Sequence, residues 1–479
     1  MGLDDIQHIV VLMLENRSFD HMLGWLYADA GNVSPAGQAF EGLTGAESNP
    51  DKDGNPVQVF RITPDMPSAY FMPGADPGEG YNATNSQLFG SINAPKQPPA
   101  TSNQGFVTDF AYTLGWEGKE KGWKIEPGTT AASIMGCFTP QMLPILSGLA
   151  KGYAVCDQYF ASAPTETLPN RAFMAAATSQ GHLKDRDSPY TAPTIYGALT
   201  KAGVGWKVYG YDKEPLTRSD FPDIQSAPDS NFGLFSDFQA DAAGGALPAY
   251  AFLEPAWSGP NQNDQHPVSN VAAGEQLIRD VYYALRNGPA WGQTLLVVNY
   301  DEHGGNYDHV PPPWTATTPD DTIGELGFGF DRFGVRVPCV LVSPLIAAGT
   351  VFRAPDGGPP FDHTSVLKTV EARFGLPPLT ARDGAAADMG AVLTLTQART
   401  DDPLAGVSPP AAAATTASLA AAAAPTHLQQ MQAALTANLP VADADGGAHQ
   451  ETPALATSYD YDHYIKTRTA QWKAQRRKP

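Results

Sequence analysis

Short, continuous apolar runs separated by polar, Gly- and Pro-containing stretches are the main pattern along this chain. Residues 6–14 (IQHIVVLML) and 294–300 (TLLVVNY) are β-branched and apolar without alternation, the pattern of strands covered on both faces. Residues 154–160, 205–211 and 249–254 are further strand candidates. So is 334–343 (GVRVPCVLVS), expected nearer a sheet edge because Pro338 has no amide hydrogen to donate. Helices are expected at 17–27, 141–153, 170–178, 270–286 and 364–374. In 270–286, Val271, Leu277, Val281 and Leu285 recur at helical spacing. Strands alternating with helices predict an α/β fold with a mostly parallel sheet. Residues 28–130, with Pro and Gly clusters at 72–80 and 95–99, are expected to be loop-rich.

Composition adds bounds. A length of 479 residues allows about three domains, or one large α/β domain with insertions. The 46 Gly and 43 Pro predict long, turn-rich connections. The composition changes near residue 380, which divides the chain into a main unit, 1–380, expected to carry any chemistry, and an Ala/Pro-rich extension, 381–479. Within the extension, 411–424 reads equally as a packed helix or a tether. The end, 466–478, reads as a frayed basic tail, with contact to lipid head groups or to the acidic body as the alternative. Lys and Arg number 30 against 50 Asp and Glu, a net charge of −20. That field argues against nucleic acid and anionic membranes as partners and leaves at most peripheral membrane contact. No apolar run approaches the ~20 residues that span a bilayer. Three widely spaced cysteines exclude a disulfide scaffold and leave one bridge open. The first residues show no signal-peptide pattern, so the expected compartment is cytoplasmic, or secreted or periplasmic if a leader has been removed or export is non-classical.

Candidate chemistry collects where such folds place ligands, at the carboxyl ends of strands. Glu15-Asn16-Arg17-Ser18-Phe19-Asp20-His21 follows the first strand. Thr165-Glu166-Thr167-Leu168-Pro169-Asn170-Arg171 opens a helix, with Thr167 near its N-terminus. Asp301-Glu302-His303-Gly304-Gly305 follows 294–300. Adjacent carboxylates at a buried strand end repel unless a cation lies between them, and a hard divalent ion answers that need. Two further histidines, His266 and His363, lie at loop–element junctions. Together these residues suit phosphoryl transfer: a Thr hydroxyl as nucleophile, Arg171 and a helix N-terminus holding the phosphoryl group, and His266 protonating the leaving alkoxide. The absence of G-x-S-x-G and of H-E-x-x-H disfavours a serine hydrolase and a zinc peptidase.

ENRSFDHMLGW (15–25), TLPNR (167–171), NDQHP (263–267), YDEHGGNYDHVPPP (300–313) and FDHTSVLKTV (361–370) resemble the non-specific phospholipase C / acid phosphatase family of the alkaline-phosphatase-like superfamily. The resemblance spans residues 6–376. It implies a three-layer α/β/α sandwich with long loop insertions. It also implies a metal site of Glu15, Asn16, Asp301 and Glu302, with Thr167 as the nucleophile bridging metal and phosphorus. Asp264, His266 and His363 stand where a second metal's ligands would be, a site expected to be vestigial. Oxygen ligands favour Mg²⁺, Mn²⁺ or Ca²⁺, whereas recruitment of His303 would favour Zn²⁺. Thr165 is a rival nucleophile, although spacing to Pro169-Asn170-Arg171 favours Thr167. Relatives carry a histidine where 82–108 has none. The expected activity is a phospholipase C that cleaves the glycerol-side P–O bond of a phosphatidylcholine-like lipid through a phosphothreonine. The alternative is an acid phosphatase acting on soluble phosphomonoesters. A non-catalytic lipid-binding protein is a third reading, opposed by the presence of every core position. Aromatic residues of 60–130, among them Phe60, Phe106, Phe110 and Trp116, either admit acyl chains or cover the core.

Overall fold

The computed structural model describes residues 2–99, 102–120, 124–411, 424–441 and 452–476. The apolar runs form one eight-stranded sheet: β1 (His8–Leu14), β2 (Ala154–Val155), β3 (Trp206–Gly210), β4 (Phe232–Leu234), β5 (Tyr250–Leu253), β6 (Thr294–Tyr300), β7 (Cys339–Val342) and β8 (Thr350–Val351). Their spatial order is β8-β2-β7-β6-β1-β5-β3-β4. β7 alone runs against its neighbours, and all other pairings are parallel. β1 and β6 pair in register from His8↔Thr294 to Leu14↔Tyr300, so both end at the same level. Every residue of β6 is buried, which explains its lack of alternation.

The principal helices are α1 (Phe19–Leu23), α2 (Tyr81–Phe89), α3 (Phe106–Glu117), α4 (Pro144–Gly152), α5 (Thr167–Ala176), α6 (Ile195–Lys201), α7 (Phe235–Gly244), α8 (Val271–Arg286), α9 (His363–Phe374), α10 (His427–Ala437) and α11 (Ser458–Arg476). α8 packs on α4 and α7, and α5 packs on α6 and α9, with the sheet between the two groups. This is the expected α/β/α arrangement. Capping fixes several starts. The Asn270 side chain accepts the Ala272 amide at 3.0 Å, and Asp362 accepts the Thr364 amide at 3.1 Å.

Several expectations need correction. β7 is interior, between β6 and β2, and Pro338 lies just before it, outside the ladder. Residues 154–160 do not form one strand: β2 ends at Val155, and Tyr159–Phe160 pairs separately with Phe361–Asp362. The loop-rich 28–130 includes α2 and α3, and Phe106 and Phe110 pack with Trp25 and Tyr307 in a second core. All three cysteines are free and buried. The basic tail is not frayed over the described residues. α11 packs on α10, Trp472 is buried, Lys473 meets Glu214 at 2.5 Å, and Arg476 donates to the carbonyls of Gln225, Ser226 and Ala227. It touches the acidic body, the alternative allowed above. Arg477 and Lys478, like 412–423 of the Ala-rich stretch, lie outside the described residues. Met389, Val392, Leu393 and Leu404 extend the main core beyond residue 380. Among the described residues no helix is long and apolar enough to cross a membrane.

Candidate active site

The site lies where β1 and β6 end together. Beyond Leu14 the chain turns at Asn16, whose φ of 47° is left-handed, a conformation Asn tolerates better than most residues. The turn presses against the loop after β6, where Gly304 and Gly305 have φ of 57° and 65°. A Cβ on Gly304 would stand 2.3 Å from the Asn16 carbonyl oxygen, so this approach needs glycine. Around this turn, motif residues are architectural. Ser18 accepts the His21 amide at 3.2 Å and donates to the Tyr307 carbonyl at 2.5 Å. Arg336 pairs with Asp20 and with Asp308, each at 2.9 Å and fully buried, and His309 meets Asp20 at 2.6 Å. Asp20, His21, Asp308 and His309 therefore lock the two loops together.

Thr167 is the first residue of α5. Its hydroxyl donates to Glu15 Oε2 at 3.1 Å and lies 3.3 Å from Asn16 Oδ1. The rival Thr165 hydroxyl is spent on the Leu183 carbonyl. One helical turn in from Thr167, Arg171 is placed differently from expectation. Its Nε donates to Glu15 Oε1 at 2.9 Å, its Nη2 also binds that oxygen, and Nε lies 3.5 Å from Asp301 Oδ2. The guanidinium stacks 4.7 Å from the Trp257 ring centroid. Arg171 thus holds carboxylates through Nε and Nη2, while its Nη1 is buried without a hydrogen-bond partner. The helix N-terminus is partly spent as well, since the Leu168 amide donates to Asp185 Oδ1 at 2.7 Å.

Asp301 and Glu302 each anchor one oxygen to backbone. Asp301 Oδ1 accepts the Asn16 and Glu302 amides at 3.2 and 2.8 Å, and Glu302 Oε2 accepts the Gly304 amide at 2.6 Å. The other oxygens, Asp301 Oδ2 and Glu302 Oε1, are buried without a hydrogen-bond donor. Burial raises the Glu15 carboxyl well above its ordinary value, and Asp301 adds to the rise despite Arg171. Burial, with Glu79 and Asp301, does the same to Glu302. Burial raises Asp301, against the pull of Arg171. Clustered buried carboxylates with free oxygens, beside an amide and a hydroxyl oxygen, fit a hard divalent cation.

Asp264, His266 and His363, the residues of the second site expected to be vestigial, form no shared ligand cluster among the described residues. His363 opens α9 behind Asp301, with Nε2 2.6 Å from the Asp301 carbonyl oxygen and Nδ1 3.0 Å from the Tyr159 hydroxyl. Both ring nitrogens are thus occupied, and burial holds the ring neutral, lowered to about 4. Asp264 spends its carboxylate on its own turn, accepting the His266 amide at 3.2 Å and the Ser269 hydroxyl at 3.3 Å. His303 Nε2 lies 2.7 Å from Gln87 Oε1 and Nδ1 3.3 Å from Glu302 Oε2. Burial lowers this ring to about 3.

His266 instead faces two acids that the sequence reading passed over. Its Nε2 lies 3.1 Å from Glu79 Oε1, and its Nδ1, which meets the Pro267 carbonyl oxygen, lies 3.8 Å from Asp76 Oδ1. The ligand atoms of these three residues lie within 4.8 Å of one another. Although burial opposes it, Asp76 and Glu79 raise the imidazole well above its ordinary value, which favours its protonated form. Glu79 is pulled down to about 2, burial being outweighed by His266. Both acids lie in the 72–80 cluster, which looked like plain turn sequence. Two carboxylates among prolines and glycines were the available signal.

A family model for phosphoesterases matches residues 6–377. The chain belongs to the phosphoesterase family. This phosphoesterase is 38% identical over 416 residues to non-specific phospholipase C6 of Arabidopsis thaliana, covering 83% of this chain and 74% of that one. It is 31% identical over 465 residues to phospholipase C A of Mycobacterium tuberculosis, covering 85% and 82%. Among solved structures, a phosphonate monoester hydrolase of Agrobacterium radiobacter aligns at 14% identity with a TM-score of 0.32, covering 52% of this chain and 72% of that one. The phosphoesterase is a phosphoric ester hydrolase, and its relatives are phospholipases C.

Proposed function

We propose that this phosphoesterase cleaves the glycerol-side P–O bond of a phosphatidylcholine-like lipid, releasing diacylglycerol and a phosphorylated head group through a covalent phosphothreonine at Thr167. The observation that carries the reading is the Thr167 hydroxyl at a helix start, directed at Glu15 Oε2 at 3.1 Å and flanked by Asn16. Glu15, Asn16, Asp301 and Glu302 are the residues that would hold the divalent ion, with Mg²⁺, Mn²⁺ or Ca²⁺ favoured by their oxygens. When bound, such an ion supplies a Lewis acid for the phosphoryl oxygens and acidifies the hydroxyl.

The residues then divide the work. Thr167 Oγ1 attacks phosphorus and its proton passes to Glu15. The glycerol oxygen leaves with a proton from His266, which Asp76 and Glu79 keep charged. Water next attacks phosphorus opposite Oγ1 and gives its proton to His266, while the P–Oγ1 bond breaks and Glu15 returns its proton to Oγ1, regenerating Thr167. Arg171 is a positioning residue, holding Glu15 and Asp301 in place. Its commitment to them leaves less positive charge for the extra terminal charge of a phosphomonoester, so the diester reading is preferred over the acid-phosphatase one.

Thr167→Ala is expected to lower turnover of a phosphocholine diester at least about a thousandfold. Chelation is expected to abolish turnover in the wild type and readdition of a divalent ion to restore it. A fully active Thr167→Ala protein would overturn the mechanism. Faster turnover of phosphomonoesters than of diesters would favour the acid-phosphatase reading.

A further inference from the structure

A cleft of about 780 Å³ opens beside the site between the 76–80 loop, α2, α3 and His427 of the C-terminal region. It is continuous with the catalytic residues, because Asp76 and Glu79, which flank His266, form part of its wall. One feature of its lining is unexplained by fold or catalysis. Glu117, the last residue of α3, is only 2% exposed, yet neither carboxylate oxygen has a hydrogen-bond partner among the described residues. Leaving a carboxylate buried and unpartnered is costly. Burial, with nearby Glu79, lifts it to about 7. Tyr112 and Trp116, one turn apart on α3, line the same cleft and are 75% and 44% exposed. Aromatic rings and a buried carboxylate lining one cleft fit an alkylated ammonium, which gains from ring quadrupoles and from the negative charge while needing few hydrogen bonds.

We propose that this cleft is the subsite for the cationic amine of the substrate, with Glu117 as its ion partner and Tyr112 and Trp116 as its aromatic wall. The proposal rests on the phospholipase C reading and narrows it to lipids whose head group carries an ammonium. It makes Glu117 a specificity-determining residue that takes no part in bond breaking and shares the cleft wall with Glu79.

The test is calorimetric binding to the full chain in a fixed concentration of Mn²⁺, comparing phosphocholine with 3,3-dimethylbutyl phosphate, its uncharged isostere. The shared phosphate cancels, so the affinity ratio reads the ammonium alone. Wild type is expected to favour phosphocholine about tenfold or more. Glu117→Gln should bring the ratio near one, and Glu117→Asp should give an intermediate value. Equal affinities in the wild type, or an unchanged ratio in Glu117→Gln, would overturn the proposal. Tighter binding of the isostere would do so too and would assign the cleft to acyl chains. Turnover is a separate arm. Failure to cleave a phosphocholine diester, with the binding ratio intact, would strike the catalytic reading and leave the subsite standing.

Discussion

Arg171 shows how a single side chain changes the meaning of a motif. In TLPNR it looks like a phosphate clamp, because Arg is the residue best suited to bidentate phosphate binding. Folded, it lies under Glu15 and Asp301 and offsets part of their mutual repulsion. Replacing it with Met strands two buried carboxylates. The metal-free protein is then expected to lose about 3–5 kcal/mol in denaturant unfolding, and the metal-loaded protein less. Equal losses with and without metal would contradict this role. Gly304 makes the complementary point about the backbone. Gly304→Ala places a Cβ 2.3 Å from the Asn16 carbonyl oxygen at a left-handed φ. It is expected to cost at least about 1 kcal/mol in the same measurement, together with most of the activity. Which side chains come together at the strand ends was largely legible at this scale. Thr167, Glu15, Asn16 and Asp301 meet in one contact set because each ends a strand or starts a helix. The partners of those side chains were not legible. Nothing in a linear reading tells that His363 spends both nitrogens behind Asp301, or that Asp76 and Glu79 reach His266 from a turn nearly 190 residues away.

Among the elements, long apolar runs were read well and short ones poorly. β1 and β6 are unmistakable because continuous burial leaves no polar face. β7 lies inside the sheet and not at the expected edge because Pro338 precedes the ladder and removes no donor from it. The 154–160 segment was read as one strand because apolar continuity hides a break in pairing. Helix ends follow side chains from elsewhere in the chain, which pattern alone does not reveal. Glu275, buried in α8, accepts the Ile145 and Leu146 amides at 2.6 and 3.0 Å, filling the N-terminus of α4. Glu275→Ala leaves those amides unpaired and is expected to lower stability by about 1–3 kcal/mol, read from the denaturant midpoint. A change within experimental error would show that water replaces the cap.

At the scale of the whole molecule, the net charge of −20 is not evenly spread. Several carboxylates are gathered inside, at Glu15, Asp301 and Glu302 and along the cleft at Glu79 and Glu117. A divalent ion bound by the folded state alone raises the melting temperature. Chelation is therefore expected to lower it, and Asp301→Asn to shrink the difference. The C-terminal region is tied to this acidic centre through His427, whose Nε2 lies 3.0 Å from Asp185 Oδ2. Although burial opposes it, Asp185, Glu79 and Glu166 raise this imidazole to about 9. Because the folded value lies above the ordinary one, the pair's stabilisation is whole below about pH 6.5 and lost as pH rises through about 9. Melting temperature should fall more steeply across that window in wild type than in His427→Gln, and parallel curves would refute the tie.

The covalent step is tested most directly by trapping it. Metal-loaded protein turning over a phosphocholine diester is quenched in acid within milliseconds, and its peptides are read by mass spectrometry. A phosphocholine ester on Thr167, absent from Thr167→Ala, is the result the mechanism requires. Sustained turnover with Thr167 unmodified at every quench time, and undiminished turnover in Thr167→Ala, would contradict it.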